Sequence, residues 1–415
     1  MSEIRTPAAL EATVRACVEG TAVLDIHTHI YEEAFGPLLL RGPEELLIYH
    51  YLQAETNRVI DDLTPEALVA LPKEAAARRV WRELYEARSP LSEAARGVIT
   101  ALRRLGVTDV RSYEAILARF AGLSAAEHID LVLRAANVRA VIMTNDPLNP
   151  SEAEVWMAGR KRDPRFYAAL RIDPVLLDWR ATCDRLAAAG YAVDRDLTTA
   201  TYPEIARFLT DWARRMGAVY MAVSLPNTFA MPEDSPTARI LTHAVLPACR
   251  ELGIPLAMMI GVRRRVVPEL RDAGDGVGRA DLSAVAHLCR EYPRQKFLLT
   301  VLSRENQHEA VVLARKFRNL HLFGCWWFTN NPSIVEEITR ERLEMLGTSF
   351  TPQHSDARVL DQLAYKWAHF RPILVKALCE KYGYLMDEGW YPTEEEIERD
   401  VRLLLGGEFE RFVGR

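Results

Sequence analysis

Short apolar runs alternate with longer stretches in which apolar residues recur every three or four positions. The runs fall at residues 22–30, 139–145, 165–172, 218–224, 255–261, 296–302, 320–326 and 347–355. Several are apolar almost throughout, as strands covered on both faces are. Strand-type runs separated by helix-type stretches predict a parallel sheet with helical crossovers. Eight of them predict an α/β fold of the (β/α)8 (TIM) barrel kind. That fold keeps its chemistry at the C-terminal strand ends and the loops that follow them.

One interval is too long for a simple crossover. Residues 31–138, between the first and second runs, read as helices (PEELLIYHYLQAETNRVID, TPEALVALPKEAAARRVWRELYEA, LSEAARGVITALRRLG). A usual connection is a few residues plus one helix. The interval is therefore expected to be a helical insertion capping the barrel mouth, within a single domain spanning 1–415. Residues 175–217 are also helix-rich. A closing helix is expected in TEEEIERDVRLLLGGEFERFVG, with Thr393 as N-cap and Glu396 completing a capping box.

Composition narrows the function. Among the 415 residues, 52 Lys and Arg stand against 57 Asp and Glu, a net charge of −5. A general nucleic-acid binder would carry a basic surplus. The apolar run at 254–262 is about half of what a bilayer requires. The N-terminal stretch interleaves charge with apolar residues like an amphipathic helix, unlike a secretion signal. The six cysteines form no CxxC pair, so neither a disulfide framework nor a cysteine zinc site is signalled. The expectation is a cytoplasmic protein acting on a small molecule, with no nucleic acid and no membrane as partner. A homo-oligomer is left open: large barrels often self-associate, though no patch in the sequence marks one.

Four groups of residues carry candidate chemistry. The sequence Asp25-Ile26-His27-Thr28-His29 ends the first run. Alternate strand residues share a side, so His27 and His29 project together, and two imidazoles plus a distant carboxylate suit a divalent metal. His354, Asp356 and Arg358 share a parity at the end of the eighth run, which neighbours the first in a closed barrel. Asp356 could complete the site; the plain alternative is a surface loop. Cys325-Trp326-Trp327-Phe328 follow the seventh run and would floor a pocket or fill core. Arg171 ends the third run, where its fork suits an anion; a salt bridge to Asp173 or Asp146 is the alternative.

In this order the motifs resemble the uronate (glucuronate) isomerase family, a divergent branch of the amidohydrolase superfamily. DIHTH (25–29) resembles the family's first-strand metal motif, and His50-Tyr51 its HY pair. MTNDP (143–147) and LRIDP (170–174) are similar to its TDDP and FRPD segments. GCWWFTNNP (324–332) is similar to AWWF, and HSDAR (354–358) to TDSR. The resemblance spans residues 22–405, closing region included. It implies a metal-dependent hydrolase-type barrel that interconverts an aldehyde-ended and a ketone-ended hexuronate, D-glucuronate with D-fructuronate or D-galacturonate with D-tagaturonate, by enediol-type proton transfer. It implies one divalent metal on His27, His29 and Asp356, zinc first, with manganese or iron also accepted. Catalysis would involve Asp356, Tyr51 and Arg358; substrate would meet Arg171, Trp326, Trp327, His50 and His354.

Two departures stand out. Ser224 ends the segment that corresponds to the family's fourth-strand SDH motif, and Met259 stands where a fifth-strand histidine is expected. A thioether is a poor ligand for such a metal and moves no proton. His354 has no counterpart in that pattern and could compensate. These departures keep a second expectation alive: a mononuclear metal-dependent hydrolase or lyase of the same superfamily, acting on another small acidic substrate.

Overall fold

Seven parallel strands form one curled sheet in a computed structural model that describes residues 3–415. They are β1 (Val23–Thr28), β2 (Val138–Asn145), β3 (Phe166–Arg171), β4 (Met221–Pro226), β5 (Leu256–Arg263), β7 (Phe297–Val301) and β8 (Leu320–Leu322), hydrogen-bonded in that order. A two-residue strand, β6 (Gly276–Val277), pairs antiparallel with the end of β5. Helices cover the outside, and the architecture is a TIM-like barrel.

The apolar runs become strands because both faces are covered. β5 is buried from Leu256 to Val262, and only Arg263 is exposed. Inward side chains such as Leu24, Ile26, Ile142, Ala222, Met259 and Phe323 fill the barrel, together with Phe409 from the last helix, Glu408–Val413. The larger core lies between sheet and helices.

The eighth run is not a strand, which corrects the sequence reading. Residues 347–355 contribute one parallel bridge, Thr351 against Phe323. The Gly324 and Thr351 N–H groups donate to the Thr351 and Leu322 carbonyls at 2.8 and 3.0 Å. Pro352 has no N–H with which to extend that ladder, and Asp356 adopts a positive φ of 52°. Closure is made instead by a buried loop: the Asp356 N–H donates to His27 O at 3.2 Å, and the His29 N–H to Ala357 O at 2.8 Å.

Helices fill the interval between β1 and β2, from Pro43–Leu47 to Ala125–Ala136. Asp361 ties both ends of this segment to the closing loop. It accepts the Gly42 N–H at 2.8 Å and lies 2.7 Å from His128 Nε2. The helix Gln362–Asp387 runs from that loop across the barrel's flank. The closing helix is Glu394–Arg402, with the Thr393–Glu396 capping box in place. No helix of the described residues is long and apolar enough to cross a membrane.

Candidate active site

Asp356 brings a carboxylate to the two histidines at the end of β1. Its Oδ1 lies 3.6 Å from His27 Nε2 and 3.5 Å from His29 Nε2. The imidazole rings stand nearly perpendicular, with centroids 5.3 Å apart. The β1–β2 ladder slips between Asp25 and Thr28, so strict alternation is interrupted where His27 stands. The two bonds that close the barrel fix the backbone of all three residues. Asp25 adds a third tie: its buried carboxylate accepts the Ser355 N–H at 3.1 Å and the Trp367 indole N–H at 2.9 Å. Burial raises the Asp25 pKa to about 6, against the pull of those donors.

The His27 tautomer follows from its neighbour. The Tyr220 hydroxyl donates to Ile26 O at 2.7 Å, so it can only accept from His27 Nδ1, 3.1 Å away. Nε2 then carries a lone pair. That lone pair faces the Asp356 oxygen, and neither atom has a hydrogen-bond partner among the described residues. Two buried acceptors facing each other are costly without a cation or proton between them. Donors about 2.0–2.2 Å from one tetrahedral ion stand about 3.4 Å apart, close to the separations seen. His27, His29 and Asp356 are the only such group among the described residues. Their ionisation suits the role. Burial lowers His27 to about 3 and holds His29 well below its ordinary value, leaving both imidazoles neutral for coordination. Burial raises the Asp356 pKa, opposed by His27 and Arg358. His29, with 21% of its side chain exposed against 2% for His27, is the imidazole nearer solvent.

The remaining expected residues are placed as follows. Arg171, at the end of β3, pairs with Asp173 at 3.2 Å. Arg358 pairs with Asp272 at 2.8 Å. His50 and Tyr51 open the helix His50–Val59. The His50 ring lies edge-on to Trp327 at 5.7 Å. The His50 Nε2 and the Trp327 Nε1 are buried without partners among the described residues. His50, Tyr49, Asp272 and Arg358 line a cleft of about 370 Å3. Burial lowers His50 to about 3 and holds the Tyr51 phenol well above its usual value. Trp326 is 3% exposed and packs into the barrel interior. His354 is fully buried, with its ring 5.2 Å from that of His27 and 5.4 Å from that of Phe323. Both its ring nitrogens are without hydrogen-bond partners among the described residues. Met259 is buried inside the barrel, and the Ser224 N–H donates to Asp173.

Sequence reasoning missed Tyr220, Asp25 and Asp272. Asp25 was inside the quoted motif and could have been singled out as the lone carboxylate of an apolar strand. Tyr220 sits in an apolar run where a phenol reads as core.

No protein-family model and no curated protein matches the chain. Solved structures do. The chain is similar to a uronate isomerase from Bacillus halodurans C-125 at 51% identity, covering 99% of this chain and 98% of that one with a TM-score of 0.97. A glucuronate isomerase from Caulobacter crescentus shares 15% identity over 98% of this chain and 94% of that one, with a TM-score of 0.76. A uronate isomerase from Thermotoga maritima shares 14% over 97% of each, with a TM-score of 0.75. The last two bear on the fold alone.

Proposed function

The chain belongs to the uronate isomerase family, and from that membership we propose that it interconverts an aldose and a ketose hexuronate at the site built on His27, His29 and Asp356. The substrate is D-glucuronate, giving D-fructuronate, or D-galacturonate, giving D-tagaturonate. The observation that carries the reading is the unbonded convergence of His27 Nε2 and Asp356 Oδ1, together with two further unpartnered polar groups, His50 Nε2 and Trp327 Nε1.

The reaction moves a proton from C2 to C1 and a second from the C2 oxygen to the C1 oxygen, leaving a carbonyl at C2. It needs a base at C2, polarisation of the oxygens, and cations for the carboxylate. His27, His29 and Asp356 would hold one divalent ion, zinc by ligand type with manganese or iron also suited. When bound, that ion polarises carbonyl and hydroxyl oxygens. Asp356 turns Oδ1 to both imidazoles, which leaves its other oxygen as the base. Tyr51, kept protonated by burial, is a donor to a sugar oxygen. The Trp327 N–H donates to a hydroxyl, and neutral His50 accepts from one or donates to it. Arg171 and Arg358 retain N–H groups beyond those used on Asp173 and Asp272, and these meet the sugar acid. Tyr220 and His354 support His27.

The test is direct. Purified protein with zinc or manganese and either aldose should yield ketose signals by NMR, and in deuterated water label should enter C1 of the product. Metal-bound protein that converts neither uronate would overturn the reading. Conversion without label would point to internal proton transfer.

A further inference from the structure

Three cationic side chains in the described residues are buried almost completely: Arg342, Arg371 and Lys366. The first two donate to oxygen acceptors, although Arg342 leaves its Nε without a partner among the described residues. Arg342 donates to Gly324 O at 2.8 Å and to Gln307 at 3.1 Å. Arg371 donates to the carbonyls of Val18, Thr21 and Asn137. Lys366, 6% exposed, has neither an ion pair within 4 Å nor a hydrogen bond among the described residues. Its ammonium lies 5.8 Å from the centre of the Tyr51 ring and 5.3 Å from that of Tyr365. Burying an ammonium without a bonded partner is costly.

The position is built, not incidental. Lys366 lies near the start of the helix Gln362–Asp387, which is tied to the site on both sides. Gln362 accepts the Arg358 N–H at 2.9 Å, and Trp367 donates to Asp25 at 2.9 Å. Asp356 is the charge that most favours the protonated lysine, followed by Glu93 and Asp25, while burial pulls its pKa down to about 8. The other two cations of the site already face carboxylates, Asp173 and Asp272. Each of those pairs is neutral as a unit. Lys366 alone among these cations has no carboxylate within ion-pair distance.

We propose that Lys366 is a substrate-contacting residue whose ammonium binds the oxygens of the sugar acid beside Tyr51 and Asp356, and that its charge, which no carboxylate meets directly, makes the site select an anionic sugar over a neutral one. The assignment takes its ligand from the isomerase reading above. It adds a residue and a basis for charge selection which that reading does not contain.

The experiment compares wild type, Lys366→Met and Lys366→Arg. The first readout is calorimetric binding of D-gluconate, a sugar acid with no carbonyl to isomerise; the second is KM and kcat on D-glucuronate. Loss of a charge-assisted contact should weaken gluconate binding by about ten-fold or more. KM should rise similarly, and Lys366→Arg should recover part of the loss. The melting temperature of Lys366→Met should stay level or rise, because an unpaired buried charge is removed. Wild-type affinity for gluconate in Lys366→Met would overturn the proposal, as would a loss that tracks a fall in melting temperature. If Lys366→Met does not fold, Lys366→Gln takes its place with the same required outcomes. Lysine-dependent gluconate binding without uronate turnover would sink the isomerase reading and leave the lysine assignment standing.

Discussion

The hydroxyl of Tyr220 lies 3.1 Å from Nδ1 of His27, and this contact selects the ring nitrogen that is free to coordinate. Tyr220→Phe removes the acceptor and lets the ring adopt either tautomer. Partners of this kind typically carry 10- to 100-fold in metal affinity. The variant should keep its fold and lose affinity in about that range, measured by competition with a chelator. Unchanged affinity would mean the phenol merely fills space.

Gly324 opens the aromatic motif for a steric reason. Its φ is 65°, and a Cβ there would collide with the His354 ring. Gly324→Ala combines a left-handed backbone penalty with overpacking against a fully buried ring. The expected loss is about 3 kcal/mol or more, read from denaturant unfolding. A loss below about 1 kcal/mol would show that His354 can move aside.

Asp272 occupies Arg358 from the solvent side, with its side chain 65% exposed against 36% for the arginine. An exposed pair contributes little stability, about 0–1 kcal/mol. Asp272→Asn should therefore leave the melting temperature nearly unchanged and lower KM for the uronate, because the guanidinium is released. A raised KM would show that Asp272 positions Arg358 for the substrate.

His321 gives a pH signature away from the cleft. It is buried, lies 2.9 Å from the Thr351 hydroxyl, and is lowered by burial from 6.5 to about 3. The unfolded chain takes up its proton near pH 6.5, whereas the folded chain resists until about 3. Its contribution to stability is therefore full above that window and lost as pH falls through it. His321→Gln should reduce the slope of unfolding free energy between pH 6 and 4 by one proton, about 1.4 kcal/mol per pH unit. An unchanged slope would place the imidazole in contact with water.

Much of this was legible in the chain. His27 and His29 end an apolar run, and continuous burial of β5 follows from its unbroken apolar stretch. The carboxylate needed a distant partner, which the order of motifs supplied as Asp356. Other features depend on contacts that pattern does not encode. The run at 347–355 has strand-like spacing, yet Pro352 and the turn at Asp356 reduce it to one bridge. His354 has the same parity as Asp356, and its ring packs against those of His27 and Phe323. Lys366 sits in a helical stretch where a lysine ordinarily reads as surface. The pairing of Arg358 with Asp272 joins residues far apart in sequence, so neither neighbourhood foretells it.

The central claim is that His27, His29 and Asp356 close around one cation. Elemental analysis of protein purified from zinc- or manganese-supplemented medium tests it most directly. Wild type should carry about one equivalent per chain, and His27→Ala and Asp356→Ala should each fall close to zero while remaining folded by circular dichroism. Full occupancy in both variants would contradict the site.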